Sequence, residues 1–401
     1  MVNTDPKVID TILHRGTAEV IIYDELKKKL ASGKKLRIKL GIDPTGFDLH
    51  LGHAVVLRKL RQFQDAGHHV ILLVGNFTGK IGDPTDKSET RKQLTTEEVE
   101  RNFQNYIAQA SKILDVEKLE VLYNADWLSH MSFEEVVGLA ANFTVQQMLE
   151  RDMFDKRMQE GKPIHLHEFL YPLMQGYDSV VLRADVELGG TDQKFNCLAG
   201  RTLQKAYGEE PQSVLVTPIL EGTDGKEKMS KSLKNYIGIL DSANDQYGKT
   251  MSIPDSLITR YFELATNVPM EEIKEIEKKL KDGENPRDLK MYLAREIVSF
   301  YHGKEAAELA EKNFIQLFQK KALPDTIENF ALAPVEISLI EAIFQSGLEN
   351  SKSQIRRLIE QGGIKVNQVA VTDVDFTFTP ASDPIIVQVG KRKFIQFIAT
   401  E

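Results

Sequence analysis

LRIKLGIDPTGFDLHLGHAVVLRKLRQFQDAGHHVILLVG, residues 36–75, decides the fold. Its first seven residues read as a buried strand. AVVLRKLRQFQDAG then repeats apolar residues at helical spacing and stops at Gly67, a natural helix C-cap. HVILLVG is a second strand. A strand, a helix and a strand in that order make a βαβ unit and call for a parallel sheet. Working outward, LEVLYNADWL (119–128) and SVLVTPIL (213–220) read as further strands of the same sheet. A mainly helical stretch over 131–178 interrupts the rhythm and is expected as an insertion at the sheet's edge. The fold class is therefore α/β with a Rossmann-like parallel sheet over 1–222. A helical part is expected over 223–325, a linker over 326–336, and a small α+β domain over 337–401. In that last domain SKSQIRRLIEQGG reads as a helix, and IKVN, VAVTD, PIIVQVG and KFIQFI as strands.

With 401 residues the chain exceeds one core, and two or three domains are expected. A single cysteine, Cys197, cannot form an internal disulfide, which suits a reducing compartment. The first residues lack a signal-peptide pattern and no apolar run approaches a membrane span, so a cytoplasmic protein without membrane contact is expected. A net charge of −8 argues against coating nucleic acid through bulk charge. Local basic patches remain open, and residues 351–401 are richer in Lys and Arg than in Asp and Glu.

His50-Leu51-Gly52-His53 falls between the first strand and its helix. Three readings compete: half of a zinc site, polar capping of a helix start, or phosphate handling. Zinc lacks a third ligand at regular spacing, since His68 and His69 lie roughly 20 Å away by helical rise. A helix N-terminus beyond a parallel strand offers free N–H groups to phosphate. Gly52 lets a nucleotide approach the backbone there. By itself the motif decides nothing.

A second element, GKEKMSKS at 225–232, is a polar loop with lysines flanking Met-Ser. Alone it reads as a solvated charged loop. Together with HLGH upstream, however, KMSKS matches the paired signature of the class I aminoacyl-tRNA synthetases. Within that class the chain resembles the bacterial tyrosyl-tRNA synthetase family over nearly its full length. The stretches that carry this are KLGIDPTGFDLHLGH, LVGNFTGKIGDPTDKSETR, LYPLMQGYDSV, ADVELGGTDQKFN and KEKMSKS.

The resemblance implies a site. Asp83, Tyr171 and Gln175 hold the tyrosine ammonium group, Asp178 receives the phenol hydroxyl, and Gln193 meets the carboxylate. Asp43 and Thr45 lie beside the ammonium group and the phosphates, Asp192 meets the ribose, and Gly190 permits close backbone approach. His50, Gly52, His53, Met229, Ser230, Lys231 and Ser232 contact ATP. His50, His53, Lys228 and Lys231 act on the transition state, the histidines on phosphate oxygens and the lysines on the departing pyrophosphate, with Lys87 and Arg91 reaching in from a loop. Read singly, Asp43, Asp83 and Asp192 also sit in turns where an aspartate caps backbone N–H groups. One branch of the family has a tyrosine sharing the phenol contact two residues before Gly-x-Asp-Pro-Thr. Here Lys39 stands there, and Leu40 and Val56 replace polar ribose contacts.

The tail resembles the small RNA-binding module that ends such enzymes. Lys352, Arg356, Arg357 and Lys365, with a patch at Lys391, Arg392 and Lys393, are its expected phosphate contacts. The implied activity is ATP-dependent tyrosine–tRNA ligation, with ATP as substrate, Mg²⁺ on its phosphates and no structural metal in the protein. The implied partners are tRNA, tyrosine and a second copy of the chain, docked through 131–148. A tryptophanyl relative, a small-molecule nucleotidyltransferase and a non-catalytic RNA-binding paralogue are the competing readings.

Overall fold

The structure, a computed structural model, describes residues 1–44, 48–83, 95–150, 152–318, 327–381, 383–390 and 393–400. Two compact units divide it: Met1–Leu240 with Ile253–Leu289, and Asp241–Ser252 with Lys290–Glu401.

The first unit is built on a six-stranded sheet. In chain order its strands are β1 (Glu19–Ile21), β2 (Arg37–Ile42), β3 (His69–Val74), β4 (Leu119–Tyr123), β5 (Val186–Gly190) and β6 (Ser213–Thr217). Their order across the sheet is β1-β6-β5-β2-β3-β4, all parallel except the edge strand β1. Helices cover a parallel sheet on both faces, which explains strands that read as continuous apolar runs. In β3 five of six residues are buried, and in β6 all five are. From β2 the chain winds outward through β3 and β4, then returns to the other side of β2 for β5 and β6. The order reverses between β2 and β5, and ligands of such sheets bind at the carboxyl ends of the strands at that point.

Sequence and structure differ in three places here. LEVLYNADWL is strand only to Tyr123, because Ala125–Leu128 forms a short helix. The three-residue β1 is too short to carry a period. VELGG, now β5, is central to the sheet but is not among the strands expected from the sequence. Between β4 and β5 the chain forms the helices Phe133–Ala140, Val145–Leu149, Asp152–Gln159 and Leu166–Val181.

In the second unit, Tyr247, Ala294, Val298 and Ala307 form the core of the helical part. The C-terminal part has β7 (Asn329–Leu332), β8 (Ile337–Ser338), β9 (Ile364–Val366), β10 (Val369–Val371), β11 (Thr377–Phe378), β12 (Ile385–Val389) and β13 (Lys393–Ala399). The expected linker over 326–336 thus contains a strand: β7 pairs in parallel with β13, in a sheet ordered β10-β9-β12-β13-β7. The helix Ile258–Ala265, expected in the helical domain, belongs to the first unit. Among the described residues no helix is long and apolar enough to cross a membrane.

Candidate active site

One cavity of about 690 Å³ opens at the switch point, lined by residues following β2, β3 and β5. That volume suits a small-molecule site. It brings together Asp43, His50, His53, Asp83, Tyr171, Gln175, Asp178, Asp192, Gln193, Lys228 and Lys231. Residues up to 188 apart in sequence meet because parallel strands deliver their loops to one edge.

His50 is the N-cap of the Leu51–Asp65 helix. Its backbone N–H donates to His53 Nδ1 at 3.3 Å, which places the remaining proton of a neutral His53 on Nε2. The two rings lie 3.8 Å apart between centroids. Burial lowers the His50 pKa to about 2, and the charges of His53, Lys231 and Lys228 add to it. The cleft walls lower that of His53 as well, followed by Lys231 and Lys228, although its ring stays open to the cleft solvent. Both rings are neutral near pH 7, and a neutral imidazole still donates one N–H. Neither belongs to a metal cluster: among the described residues no group of three or more His, Cys, Asp or Glu could hold an ion.

The two signature elements are stitched together. Leu51 N–H donates to Ile237 O at 3.0 Å and Ile239 N–H to Leu49 O at 2.9 Å. Gly52 N–H points at Met229 Sδ, 3.4 Å away. A Cβ on Gly52 would stand 3.0 Å from the His50 ring, so a larger residue here would push against the imidazole. Lys231 reaches across to Asp48 at 2.7 Å. Ser230 and Ser232 share a hydroxyl hydrogen bond of 2.8 Å.

Buried Asn235 organises this loop. Its Oδ1 accepts from Ser230 N–H at 2.8 Å, and its Nδ2 donates to Asp224 at 2.7 Å and to Lys228 O at 3.1 Å. Gly222 makes room for it: a Cβ there would lie 2.3 Å from the Asn235 amide. Arg260, on the Ile258–Ala265 helix, braces the hairpin by pairing with Glu221 at 2.7 Å.

At the opposite end the Leu166–Val181 helix supplies Tyr171, Gln175 and Asp178, spaced four and three residues apart and hence on one face. Its first turn is anchored by the buried bidentate pair of Arg157 and Glu168. Tyr171 OH donates to Asp43 Oδ2 at 2.8 Å, and Thr78 Oγ1 donates to Oδ1 at 2.9 Å. Burial, reinforced by Asp43, raises the Tyr171 pKa, so this phenol stays a donor. Gly75 permits the arrangement, since a Cβ would sit 1.9 Å from Asp43 Oδ1.

Asp178 is 2 % exposed, and burial raises its pKa to about 7. Trp127 Nε1 donates to one of its oxygens at 2.8 Å and Asn124 Nδ2 to the other at 3.3 Å. Across the cavity Gln193 Nε2 donates to Asp83 at 2.7 Å. Burial and the neighbouring Asp83 raise the pKa of Asp192. Gly190 is tied to Asp192 sterically, a Cβ there meeting its Oδ1 at 2.5 Å.

Lys39 resolves one question that its position raises. Fully buried, its Nζ donates to Glu187 Oε1 at 2.9 Å, to Gln175 O at 2.8 Å and to Ser179 Oγ at 2.7 Å. All three ammonium hydrogens are committed to these acceptors, which leaves none for a further partner. Leu40 and Val56 line the cavity as apolar wall. Gly75, Asn124, Trp127, Glu187 and Asn235 escape sequence reading. Only the glycine of VGNFTG carried a signal, a Gly directly after a strand.

Thr45, Lys87, Arg91, Lys391 and Arg392 lie outside the described residues. In the C-terminal part Arg356, Arg357 and Lys365 are exposed, while Ile355 and Ile359 of the same helix are buried. Lys352 pairs with Glu341 at 2.6 Å and lies over the Phe344 ring, so its charge is partly spent within the domain. Lys393 donates to Leu348 O at 2.8 Å.

Comparison with known proteins identifies relatives over nearly the whole chain. Residues 31–319 match the family model for class I tRNA synthetases of the tryptophan and tyrosine type. Residues 319–397 match the model of a tyrosine–tRNA ligase C-terminal domain. The chain is 53% identical over 398 residues to a tyrosine–tRNA ligase of Carboxydothermus hydrogenoformans, covering 96% of this chain and 97% of that one. It is 50% identical over 391 residues to that of Thermotoga maritima, covering 97% of each. Among solved structures, a truncated mitochondrial tyrosyl-tRNA synthetase of Coccidioides posadasii superposes with a TM-score of 0.60 at 27% identity. That match covers 76% of this chain and 91% of the other.

Proposed function

The chain belongs to the tyrosine–tRNA ligases of the class I synthetase family, and from that premise we propose how its cavity performs the two-step reaction. L-tyrosine lies with its phenol at Asp178 and its ammonium group among Asp83, Tyr171 and Gln175. Gln193 takes the carboxylate and Asp192 the ribose of ATP. Asp43 and Thr45 sit between the two substrates, and Gly52 and Gly190 let the nucleotide lie against backbone. A tyrosine carboxylate oxygen attacks the α-phosphorus in line, the bond to the β-phosphate oxygen breaks, and pyrophosphate departs. In the second step a terminal ribose hydroxyl of tRNA attacks the adenylate carbonyl, forming the ester and releasing AMP.

A carboxylate needs no base to become a nucleophile, so catalysis here is positioning and charge stabilisation. His50 and His53 donate N–H groups to phosphate oxygens while staying neutral. Lys228 and Lys231 neutralise the leaving pyrophosphate, with Lys87 and Arg91 assisting. For Lys231 this means exchanging its Asp48 partner for phosphate. ATP arrives as its magnesium complex; the described residues offer no cage of their own for that ion. Arg356, Arg357 and Lys365, with Lys352, Lys391 and Arg392, meet tRNA phosphates. The helical segment between the signature loop and the tail faces the anticodon, and the enzyme works in the cytoplasm. Two copies pair through Phe133, Val137 and Val145, which lie outside on the insertion while Leu139 and Met148 pack inward.

The observation that carries this reading is the buried, doubly hydrogen-bonded Asp178 at the end of a cavity whose other end joins HLGH to KMSKS. A pocket built to hydrogen-bond a hydroxyl rejects the analogue lacking it by about 10⁴–10⁵, a range for which tyrosine against phenylalanine in this same enzyme class is the known example. Amino-acid-dependent exchange of pyrophosphate into ATP tests it. Tyrosine should support exchange, while phenylalanine and tryptophan should not; exchange driven by tryptophan would overturn it.

A further inference from the structure

Lys39 and Glu187 face each other in register on β2 and β5, fully buried beneath the amino-acid end of the cavity. Two charges are costly to bury, and apolar residues of the same volume would often serve stability equally well. What the pair touches suggests a different purpose. Glu187 Oε1 accepts from Gln175 Nε2 at 3.1 Å, and Oε2 accepts from Ser179 Oγ at 3.0 Å and from the Gln212 amide. Lys39 grips the same helix through Gln175 O and Ser179 Oγ.

The polarity of Gln175 follows from this chemistry. An ionised carboxylate can only accept, so the amide edge facing Glu187 must be the nitrogen. The second N–H of that amide is directed at Cys197 Sγ, 4.0 Å away. Oε1 is then the atom left for the cavity that Gln175 lines. An oxygen there attracts an ammonium group, whereas a flipped amide would present N–H donors and repel it. Lys39 balances the charge of Glu187, so the cavity meets a neutral, oriented amide backed by a paired carboxylate.

We propose that the Lys39–Glu187 pair is a positioning element for substrate: it locks the Gln175 amide with its oxygen toward the amino-acid ammonium group. The polar atoms of the pair are bonded to each other and to Gln175, Ser179 and Gln212, so it acts through Gln175. The inference deepens the assignment of Gln175 to the ammonium group made above and rests on it. It also gives the lysine at this position a function distinct from the phenol contact that a tyrosine would make.

The test uses the full-length protein and two ligands, tyrosine and 3-(4-hydroxyphenyl)propionate, which lacks only the ammonium group. Their dissociation constants are measured by calorimetry and competition, and the ratio of the two reports the ammonium contact alone. Gln175→Ala serves as reference. Glu187→Gln removes the forced polarity, and the double variant Lys39→Met with Glu187→Leu removes both charges together while keeping the site packed. In both, tyrosine should bind about tenfold or more weakly, as for a lost hydrogen bond to a charged group, with the analogue within about twofold of wild type. If both ligands weaken together, the pair is merely structural and the proposal falls. If Gln175→Ala collapses the ratio but the pair variants keep it, the proposal falls while the Gln175 assignment stands. An unchanged ratio in Gln175→Ala itself overturns that assignment, and the proposal with it.

Discussion

At the scale of single residues, Asp178 illustrates how environment decides chemistry. Ordinary aspartate titrates near 4, but burial raises this one to about 7, against the opposing pull of Lys39, Trp127 and Asn124. The ionised form is the stronger acceptor for a phenol hydroxyl. Tyrosine affinity is therefore expected to rise as pH increases through about 7, while His50 and His53, already neutral, add no step between pH 6 and 8. Calorimetric titration of tyrosine across that range checks this, and Asp178→Asn should flatten the profile. The sign for folding is opposite. The native state keeps a proton that the unfolded chain releases at lower pH, so this group's contribution to stability declines as pH rises from about 4 through 7. The motif residues were legible in the sequence because HLGH and KMSKS combine rare residue types at fixed spacing. Asn124 and Trp127 were not, since neither residue type nor spacing distinguishes an asparagine bonded to Asp178 from one in any turn. Gly75 carried only a generic signal; its purpose, the close approach of Asp43, exists only in three dimensions.

Elements show the same division. The signature loop is a hairpin whose shape depends on Asn235, five residues beyond the Ser230 N–H that it accepts from. Asn235→Ala is expected to leave Lys228 and Lys231 in place chemically but misdirected. Since displacements near 1 Å can cost about 10²-fold in rate, adenylate formation should slow by roughly 10–100-fold with tyrosine affinity unchanged. Single-turnover kinetics together with equilibrium binding separate the two effects; an equal loss in both would place Asn235 in the tyrosine pocket instead. Helices and buried parallel strands could be read from hydrophobic period because their burial is uniform. β5 could not, since the glutamate and two glycines of VELGG break the apolar run that marks a buried strand. Those departures are where the site is: Glu187 lies under the cavity and Gly190 opens onto it. β7 escaped for another reason, being a short strand whose pairing with β13 spans more than sixty residues.

On the scale of the whole molecule, the apolar residues left outside are where the proposed pairing of two copies is tested. Phe133 is 83 % exposed and Val145 64 %, alongside Val137 on the same insertion. Such a cluster marks an interaction surface. The protein should migrate as a dimer, at twice the mass of the chain, and Phe133→Asp combined with Val137→Asp should yield monomers by light scattering. An unchanged dimer would move the interface elsewhere. The alternation of strands and helices was legible in the hydrophobic pattern, whereas the interleaving of the two units along the chain and the placement of Ile258–Ala265 beside the signature loop were not, because Arg260 and Glu221 are separated by 39 positions whose helical pattern is indifferent to partner. The central claim is that the joined HLGH and KMSKS elements act on the transition state of adenylation and not on substrate binding. Single-turnover formation of tyrosyl-adenylate by His50→Ala, compared with wild type at saturating tyrosine and ATP, tests it most directly. A rate lower by about 10²–10³-fold, with tyrosine affinity within twofold of wild type, is the predicted result. An unchanged rate, or a loss explained wholly by weaker tyrosine binding, would contradict it.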